Sequence, residues 1–355
     1  MAYVRVPAAW GVWLAAAFVV LPFHAKAQTR SPGNAFDPDY VLDYSNRITA
    51  RAYISTKYNT LQLVADRGAK DLVFRPNNKV NFGLGLSYRS VTLNIGVGIP
   101  GVNKDQDKYG QTRYLDAQAN VYTKRWATNI FLQRFRGYYL DTYIKEELGW
   151  QQPTFFPTRP DLVQFNLGAS TVHVFNNDRF SYRAAFNQDA WQRRSQGSLL
   201  AGGYLTYFHL RADSSLVPTP LDPQFPDGLQ MRRGGFLDLG PSAGYAYTLV
   251  VRKHLFVTAS MVLGMGLSLQ RATTKLRSGE ELRTVAGLGW HTQVRAAAGY
   301  NSARYFFGIS FNQENIGYLI DERSSFHWSV GNTRFTVAKR FGMGIRQLER
   351  RLPQL

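Results

Sequence analysis

Residues 80–99 read VNFGLGLSYRSVTLNIGVGI and contain two runs in which apolar and polar or small residues strictly alternate. The first run ends at Tyr88 and the second begins at Val91, so only Arg89 and Ser90 lie between them. A period of two is typical of a β-strand, and a two-residue connection predicts a hairpin. The apolar face of this hairpin must meet either a protein core or lipid.

The same alternation recurs along most of the chain. Further examples are 48–55, 115–122, 163–170, 180–187 and 305–314. In the longest apolar stretch, 255–269, the small or polar residues again fall at every second position, which indicates a strand rather than a helix. At 15 residues it exceeds the roughly 9 to 11 that a tilted strand needs to cross a bilayer.

The composition of the two strand faces distinguishes a soluble sandwich from a membrane barrel. In each strand, every second residue belongs to one face, and we call the two sets the polar parity and the apolar parity. The polar parity carries mainly Gly, Ser, Thr, Asn, Gln and Tyr, whereas the outer face of a soluble sheet would carry many Lys and Glu. The apolar parity has few charges in mid-strand, where each would cost about 2–4 kcal/mol in a membrane. Hydrocarbon also requires that no strand edge stays unpaired. We therefore predict an all-β protein that forms a closed antiparallel transmembrane β-barrel.

The connections fall into two length classes, as in outer-membrane barrels with short periplasmic turns and long extracellular loops. Short connections are predicted at 89–90, 124–125, 176–178, 251–253 and 300–302. Long connections are predicted at 66–78, 100–112, 138–161, 211–234, 271–283 and 316–328. About thirteen candidate strands result, but the alternation of turns and loops breaks down between 191 and 235. An even number is needed, and of twelve and fourteen strands we favour twelve.

The two ends of the chain predict export to the outer membrane. Residues 1–27 combine Arg5, an apolar run over 8–23 and an A-x-A site, and so predict a signal peptide cleaved after Ala27. The alternative is a retained membrane anchor, for which the apolar run is short. The remaining chain divides into an N-terminal periplasmic segment (28–45), the barrel (46–341) and a basic tail (342–355). The last strand, 333–341, ends in an aromatic residue and resembles the final strand of outer-membrane barrels.

The charge favours anionic partners, since the full chain carries a formal charge of +18. Export and the absence of nucleic-acid-binding motifs argue against nucleic acid. Arg193, Arg194, Arg232 and Arg233 are candidate contacts to anionic lipid headgroups, with solvated loops as the alternative. There is no cysteine, so no disulfide is expected.

Charges on the polar parity are candidates for the barrel interior. Asp116, Arg183 and Arg295 are predicted to lie there, either as ion pairs that brace the barrel or along an anion path. His209 and His291 share that parity. No G-x-S-x-G motif or paired Asp and His marks a hydrolase site, and no cluster has metal-ligand spacing. We expect no enzyme activity, no cofactor and no metal.

Four phrases of the sequence resemble one family. They are LVFRPNNKVNFGLGLSYRSVTLNIGVGIP (72–100), NKDQDKYGQTRYLDAQANVY (103–122), RPDL (159–162) and VFNNDRFSYRAAFNQDAWQRRSQGSLLAGG (174–203). Together they resemble domain of unknown function 4421, a family of didermic bacteria. The resemblance implies an outer-membrane-type β-barrel without an assigned activity.

Three functions are compatible with this sequence. The first is a non-enzymatic narrow channel or surface binding protein, which as a channel requires an open lumen with unpaired basic residues. The second is a structural or assembly scaffold for an envelope or secretion machine, which would have a filled lumen and an envelope protein partner. The third is a barrel hydrolase, which requires a polar constellation at one rim.

Overall fold

The computed structural model describes residues 36–342, apart from 66–69, 78–79, 90, 100–101, 103–104, 142–147, 151–153, 277–278 and 321–323. The predicted signal peptide and almost all of the predicted basic tail lie outside these residues.

Twelve long strands of the described chain form a ring. In chain order they are β2 (Thr49–Val64), β4 (Val80–Tyr88), β5 (Val91–Gly98), β6 (Arg113–Tyr122), β7 (Trp126–Leu140), β8 (Thr158–Val174), β10 (Gln196–Arg211), β11 (Met231–Val251), β12 (Leu255–Leu276), β13 (Gly279–Asn301), β14 (Tyr305–Leu319) and β15 (Ser325–Arg340). Each strand pairs with an antiparallel neighbour, and β15 pairs with β2 from Ser325–Val64 to Arg340–Thr49. The pairing therefore returns to its start, and the twelve-stranded barrel is confirmed.

Five shorter elements and two 3-10 turns complete the described structure. They are β1 (Val41–Asp43), β3 (Leu72–Arg75), β9 (Ala190–Gln192), α1 (Gln106–Tyr109), α2 (Tyr182–Phe186) and the turns Thr219–Gln224 and Asp227–Leu229. β1 pairs with β9 outside the barrel sheet. β3 pairs with β2 and with β7, next to the part of β2 that β4 does not reach.

The 80–99 hairpin places its apolar side chains on the outside of the barrel. Leu84 is 59% exposed and Ile95 is 77% exposed, while Asn81 and Ser87 on the opposite parity are buried. Since a water-soluble barrel would not expose a continuous row of such residues, the outer face is the lipid-facing surface of a transmembrane barrel. None of the helices in the described part of the chain is long and apolar enough to cross a membrane.

The two ends of the barrel differ, and we call them the short-turn end and the long-loop end. Strand pairs β4–β5, β6–β7, β11–β12 and β13–β14 are joined at the short-turn end, where β2 also begins and β15 ends. Two of the predicted long loops are wrong, because strand pairing continues through most of 271–283 and 316–328. In both places the hydrogen-bonded ladder extends into the residues that the sequence assigned to a loop.

The predicted tight turn at 176–178 and the predicted strand at 180–187 are also wrong. A 21-residue connection, 175–195, joins β8 to β10 at the short-turn end and contains α2. Residues of both parities from Phe180 to Ala185 are buried, whereas a strand of the barrel wall would turn alternate residues to lipid. Removing this false strand resolves the phase conflict at 191–235.

An aromatic layer fills the barrel near the long-loop end. Its largest fully buried side chains include Phe208, Phe236, Phe326 and Trp328, all directed inward. The connection 212–230 folds onto this layer through several buried apolar side chains. Because Phe208 points inward, its neighbour His209 belongs to the outward parity, which contradicts the predicted lumen position of His209.

Candidate functional site

The short-turn end is closed by a structure that we call the plug, formed by residues 175–195 together with 36–44. The α2 helix lies inside the barrel mouth, where Tyr182 packs edge-on against Tyr122 of β6, with ring centroids 5.5 Å apart. The Tyr182 hydroxyl lies 3.1 Å from the Ser260 hydroxyl of β12. The plug therefore contacts strands on different sides of the ring.

Side chains of the barrel wall also bind the backbone of the plug. Arg51 of β2 donates to the Asn187 carbonyl at 2.8 Å. Arg340 of β15 donates to the carbonyls of Gln188 at 2.8 Å and Ala190 at 3.1 Å. These charge-assisted bonds satisfy buried carbonyl groups of the plug, and the Ala190 carbonyl also accepts from Asn301 at 3.1 Å.

Arg183 lies on α2 within the plug, not on the strand that the sequence predicted. Its Nε donates to Asp189 at 3.1 Å, and its terminal nitrogen donates to Asp43 at 3.0 Å. Burial lowers the pKa of Arg183, but Asp189 and then Asp43 outweigh this effect, so the net pKa is raised. Arg183 is therefore a charged clamp that joins the helix, the end of the plug and the N-terminal segment.

The other two predicted lumen charges face the interior and are paired. Asp116 lies 2.7 Å from Lys57 and accepts a hydrogen bond from Gln133 at 3.1 Å. Arg295 bonds to the Tyr122 hydroxyl and lies 3.8 Å from Glu314. These contacts favour the first of the two predicted roles, ion pairs that brace a narrow interior. An anion path would instead be lined by unpaired cations.

A polar cavity of about 80 Å³ remains between the plug and the aromatic layer. It is lined by Arg295, Glu314, Asn332, Arg334 and residues of neighbouring strands. Since about 10–15 Å³ of such space is enough for one water molecule, the cavity has room for several waters.

A larger pocket of about 520 Å³, which we call the rim pocket, lies at the long-loop end. Its lining residues are Phe74, Leu140, Leu148, Trp150, Pro157, Arg159, 213–215, 217–220, Arg232 and 273–274. Most of the surface that faces the pocket is apolar, although half of the lining residues are polar or charged. Arg159 is held in place by Asp161 through two hydrogen bonds of 2.9 and 2.8 Å. No local sequence pattern marks this pocket, because its residues come from six separate segments.

The four predicted lipid-contact arginines do not form one surface. Arg193 and Arg194 lie in the plug region, where Arg194 is 3.8 Å from Asp39. Arg232 and Arg233 start β11 at the opposite end of the barrel, and Arg232 lines the rim pocket. Of these four arginines, only Arg233 is exposed on the outer face of the barrel at the long-loop end.

A Ser–His contact that the sequence analysis missed lies at the start of β15. The Ser325 hydroxyl is 2.7 Å from His327 Nε2, because residues two apart share one face of a strand. A nucleophile of this kind needs a base that is oriented by a third group. Among the described residues, His327 makes no hydrogen bond to a carboxylate, and nearby Asp71 accepts from Gln62 instead. We assign no catalysis to this pair.

The described residues also contain no group of three or more His, Cys, Asp or Glu side chains arranged to hold a metal ion.

The family's sequence profile, described as Domain of unknown function (DUF4421), matches residues 35–341. The chain belongs to this family. The match covers the N-terminal part of the plug and all twelve barrel strands, and it confirms the predicted family. No curated protein matches the chain.

Solved structures similar to this DUF4421 protein include several outer-membrane proteins. The outer membrane protease OmpT from Escherichia coli is 10% identical with a TM-score of 0.38, over 84% of this chain and 98% of that chain. Ail, the attachment invasion locus protein of Yersinia pestis, is 9% identical with a TM-score of 0.21, over 81% and 98%. The outer membrane protein OprG from Pseudomonas aeruginosa is 8% identical with a TM-score of 0.23, over 84% and 97%. At these TM-scores the likenesses say nothing about activity.

Proposed function

We propose that this protein is a non-enzymatic outer-membrane barrel, closed along its axis, that binds a small apolar ligand in the rim pocket. The observation that carries the proposal is the size and lining of that pocket. Its volume of about 520 Å³ falls within the roughly 300–1,000 Å³ typical of small-molecule sites. A mainly apolar surface with a few fixed polar groups, such as Arg159 held by Asp161, is the usual composition of such sites.

Closure along the axis favours a binding protein over a channel. The plug occupies the short-turn end, the aromatic layer fills the barrel below the rim pocket, and the predicted lumen charges are paired. Planar-bilayer recording of the refolded protein is expected to give insertion without discrete conductance steps. Discrete steps from the wild-type protein, with ion selectivity, would show that an ion path exists and would refute the closed barrel.

The rim pocket can be tested with 1-anilinonaphthalene-8-sulfonate, a fluorescent aromatic anion. Saturable one-to-one binding to the wild-type protein is expected. Thr219→Trp adds an indole to the pocket lining and should weaken binding at least tenfold. Gln224→Trp adds the same ring at an exposed position of the same connection, outside the pocket, and should change binding less than twofold. Equal binding by both variants would show that the dye does not occupy the rim pocket.

Export through a cleaved signal peptide is part of the proposal. The mature protein isolated from the outer membrane is expected to begin at Gln28, and intact-mass measurement checks this. A mass that retains residues 1–27 would refute cleavage after Ala27.

A further inference from the structure

The wall of the barrel is incomplete between β5 and β6. Backbone pairing between these strands is limited to Val91–Val121 and Thr92–Asn120, near the short-turn end. Both strands are fully paired on their other sides, with β4 and β7. The facing edges of β5 beyond Thr92 and of β6 before Asn120 therefore border an opening, which we call the seam.

The seam exposes polar groups at a level where most of the barrel exposes hydrocarbon. On the lumen parity, Gly96 and Gly98 of β5 are exposed instead of buried, so the backbone of β5 is accessible along the seam. Unpaired backbone groups cost several kcal/mol each in a bilayer unless something supplies hydrogen-bonding partners. At the long-loop end of the seam, a lipid headgroup supplies both acceptor oxygens and hydroxyl donors.

Three arginines lie on the outer surface of the barrel, beside the part of the seam that is nearest the long-loop end. Arg113 of β6 is directly opposite Arg136 of β7, and Arg134 is the next outward residue of β7. All three are exposed, and no carboxylate among the described residues forms an ion pair with any of them. Like charges directly opposite on neighbouring strands destabilise a sheet, so this arrangement favours an anion bound between them.

The backbone holds one of these arginines in place. Gly137 has a φ of +89° and forms a bulge between Arg136 and Tyr138, which lets Arg136 point outward while Tyr138 is buried. Arg136 Nε donates to the Pro160 carbonyl at 3.3 Å, so its terminal nitrogens stay available. A guanidinium fixed in this way suits a phosphate, whose oxygens accept two parallel N–H donors.

An apolar surface lies directly below the arginines. Leu93, Ile95 and Val97 of β5 are 70%, 77% and 64% exposed, and Leu115 of β6 is 57% exposed. Leu115 is the direct cross-strand partner of Arg134, so cationic and apolar surfaces meet at this point. A molecule with phosphate groups above and acyl chains below matches both.

We propose that a phosphate-bearing glycolipid of the outer leaflet binds over the seam, with its phosphates on Arg113, Arg134 and Arg136. Its acyl chains lie against the outer faces of β5 and β6. This site is separate from the rim pocket, and it differs from the four lipid-contact arginines that the sequence predicted.

The test uses the full mature protein in detergent, with diphosphoryl lipid A as the probe and native mass spectrometry as the readout. One tightly bound lipid is expected on the wild-type protein. The triple variant Arg113→Gln, Arg134→Gln, Arg136→Gln should lower its affinity at least tenfold. Arg134→Gln alone should lower it about threefold or more, which provides a readout if the triple variant folds poorly. Unchanged affinity in a folded variant would overturn the site.

A matched control removes the same charge from the other end of the barrel. Arg252→Gln, Lys253→Gln, Arg304→Gln changes three exposed residues of the short turns and should alter lipid A affinity less than twofold. Dephosphorylated lipid A should bind the wild-type protein at least tenfold more weakly, and equal binding of the two lipids would refute phosphate recognition. Conductance and dye binding test the proposed function independently, so either proposal can fail without the other.

Discussion

The Arg183 clamp gives the most demanding prediction for the plug. Arg183→Met removes a buried cation and leaves the carboxylate of Asp189, which is 1% exposed, without its hydrogen-bonded partner. Breaking a buried ion pair in this way costs about 3–5 kcal/mol. We expect the lower limit, because Asp43 is 41% exposed and Arg51 and Arg340 also attract Asp189. About 3 kcal/mol corresponds to at least a hundredfold larger population of the undocked plug.

Hydrogen exchange measures that population directly. The amides of Asn187 and Gln188 both donate to the Arg183 carbonyl at 3.0 Å, and a methionine at 183 keeps that carbonyl. Their exchange should be about a hundredfold faster in Arg183→Met. The control Arg179→Met removes an exposed arginine that lies 3.6 Å from Asp37, a contact worth about 0–1 kcal/mol. Unchanged exchange in Arg183→Met, or an equal effect in Arg179→Met, would refute the clamp.

Three further changes test the bulge, the aromatic layer and the lipid-facing surface. Gly137→Ala places a Cβ 2.1 Å from the Gln111 carbonyl at a positive φ and should destabilise the barrel by about 1–3 kcal/mol, seen as a lower Tm; an unchanged Tm would contradict the strained bulge. Trp328→Ala removes a fully buried indole that donates to Asn59 at 3.0 Å, and urea unfolding should show a loss of about 3–5 kcal/mol. Leu263→Arg replaces an outward side chain that is 53% exposed and should cost about 2–4 kcal/mol when the protein is folded into lipid vesicles. A neutral result for Leu263→Arg would mean that this face does not meet lipid.

The barrel could be predicted because the hydropathy of each residue in a wall strand reflects whether its side chain faces lipid or the lumen. A strand of the wall has lipid on one side and the lumen on the other, so each of its residues falls into one of two classes. The alternation at 80–99 and 255–269 expresses this rule, and both stretches form strands with apolar residues outside. The same rule predicts Asp116 and Arg295 on the inner side, and both form contacts inside the barrel.

The rule fails where a segment has protein on every side. Residues 180–187 alternate by chance, yet they form α2 and its continuation inside the barrel mouth, where both parities are buried. Arg183 was misplaced for this reason. At the long-loop end the period was misleading in another way, since inward Phe208 and outward His209 reverse the usual distribution of apolar and polar residues. There the interior is an aromatic core, and hydropathy no longer distinguishes the two faces.

The fold class, the favoured number of strands and the face that meets lipid follow from local periodicity and connection length. What fills the barrel and what its surface presents depend on contacts between residues far apart in the chain. Arg183 meets Asp43 across 140 positions of the chain, and the rim pocket draws on six separate segments. Arg113 and Arg136 become neighbours through the register of β6 and β7. Such contacts depend on how the strands are aligned around the ring, and no local pattern of residues encodes that alignment.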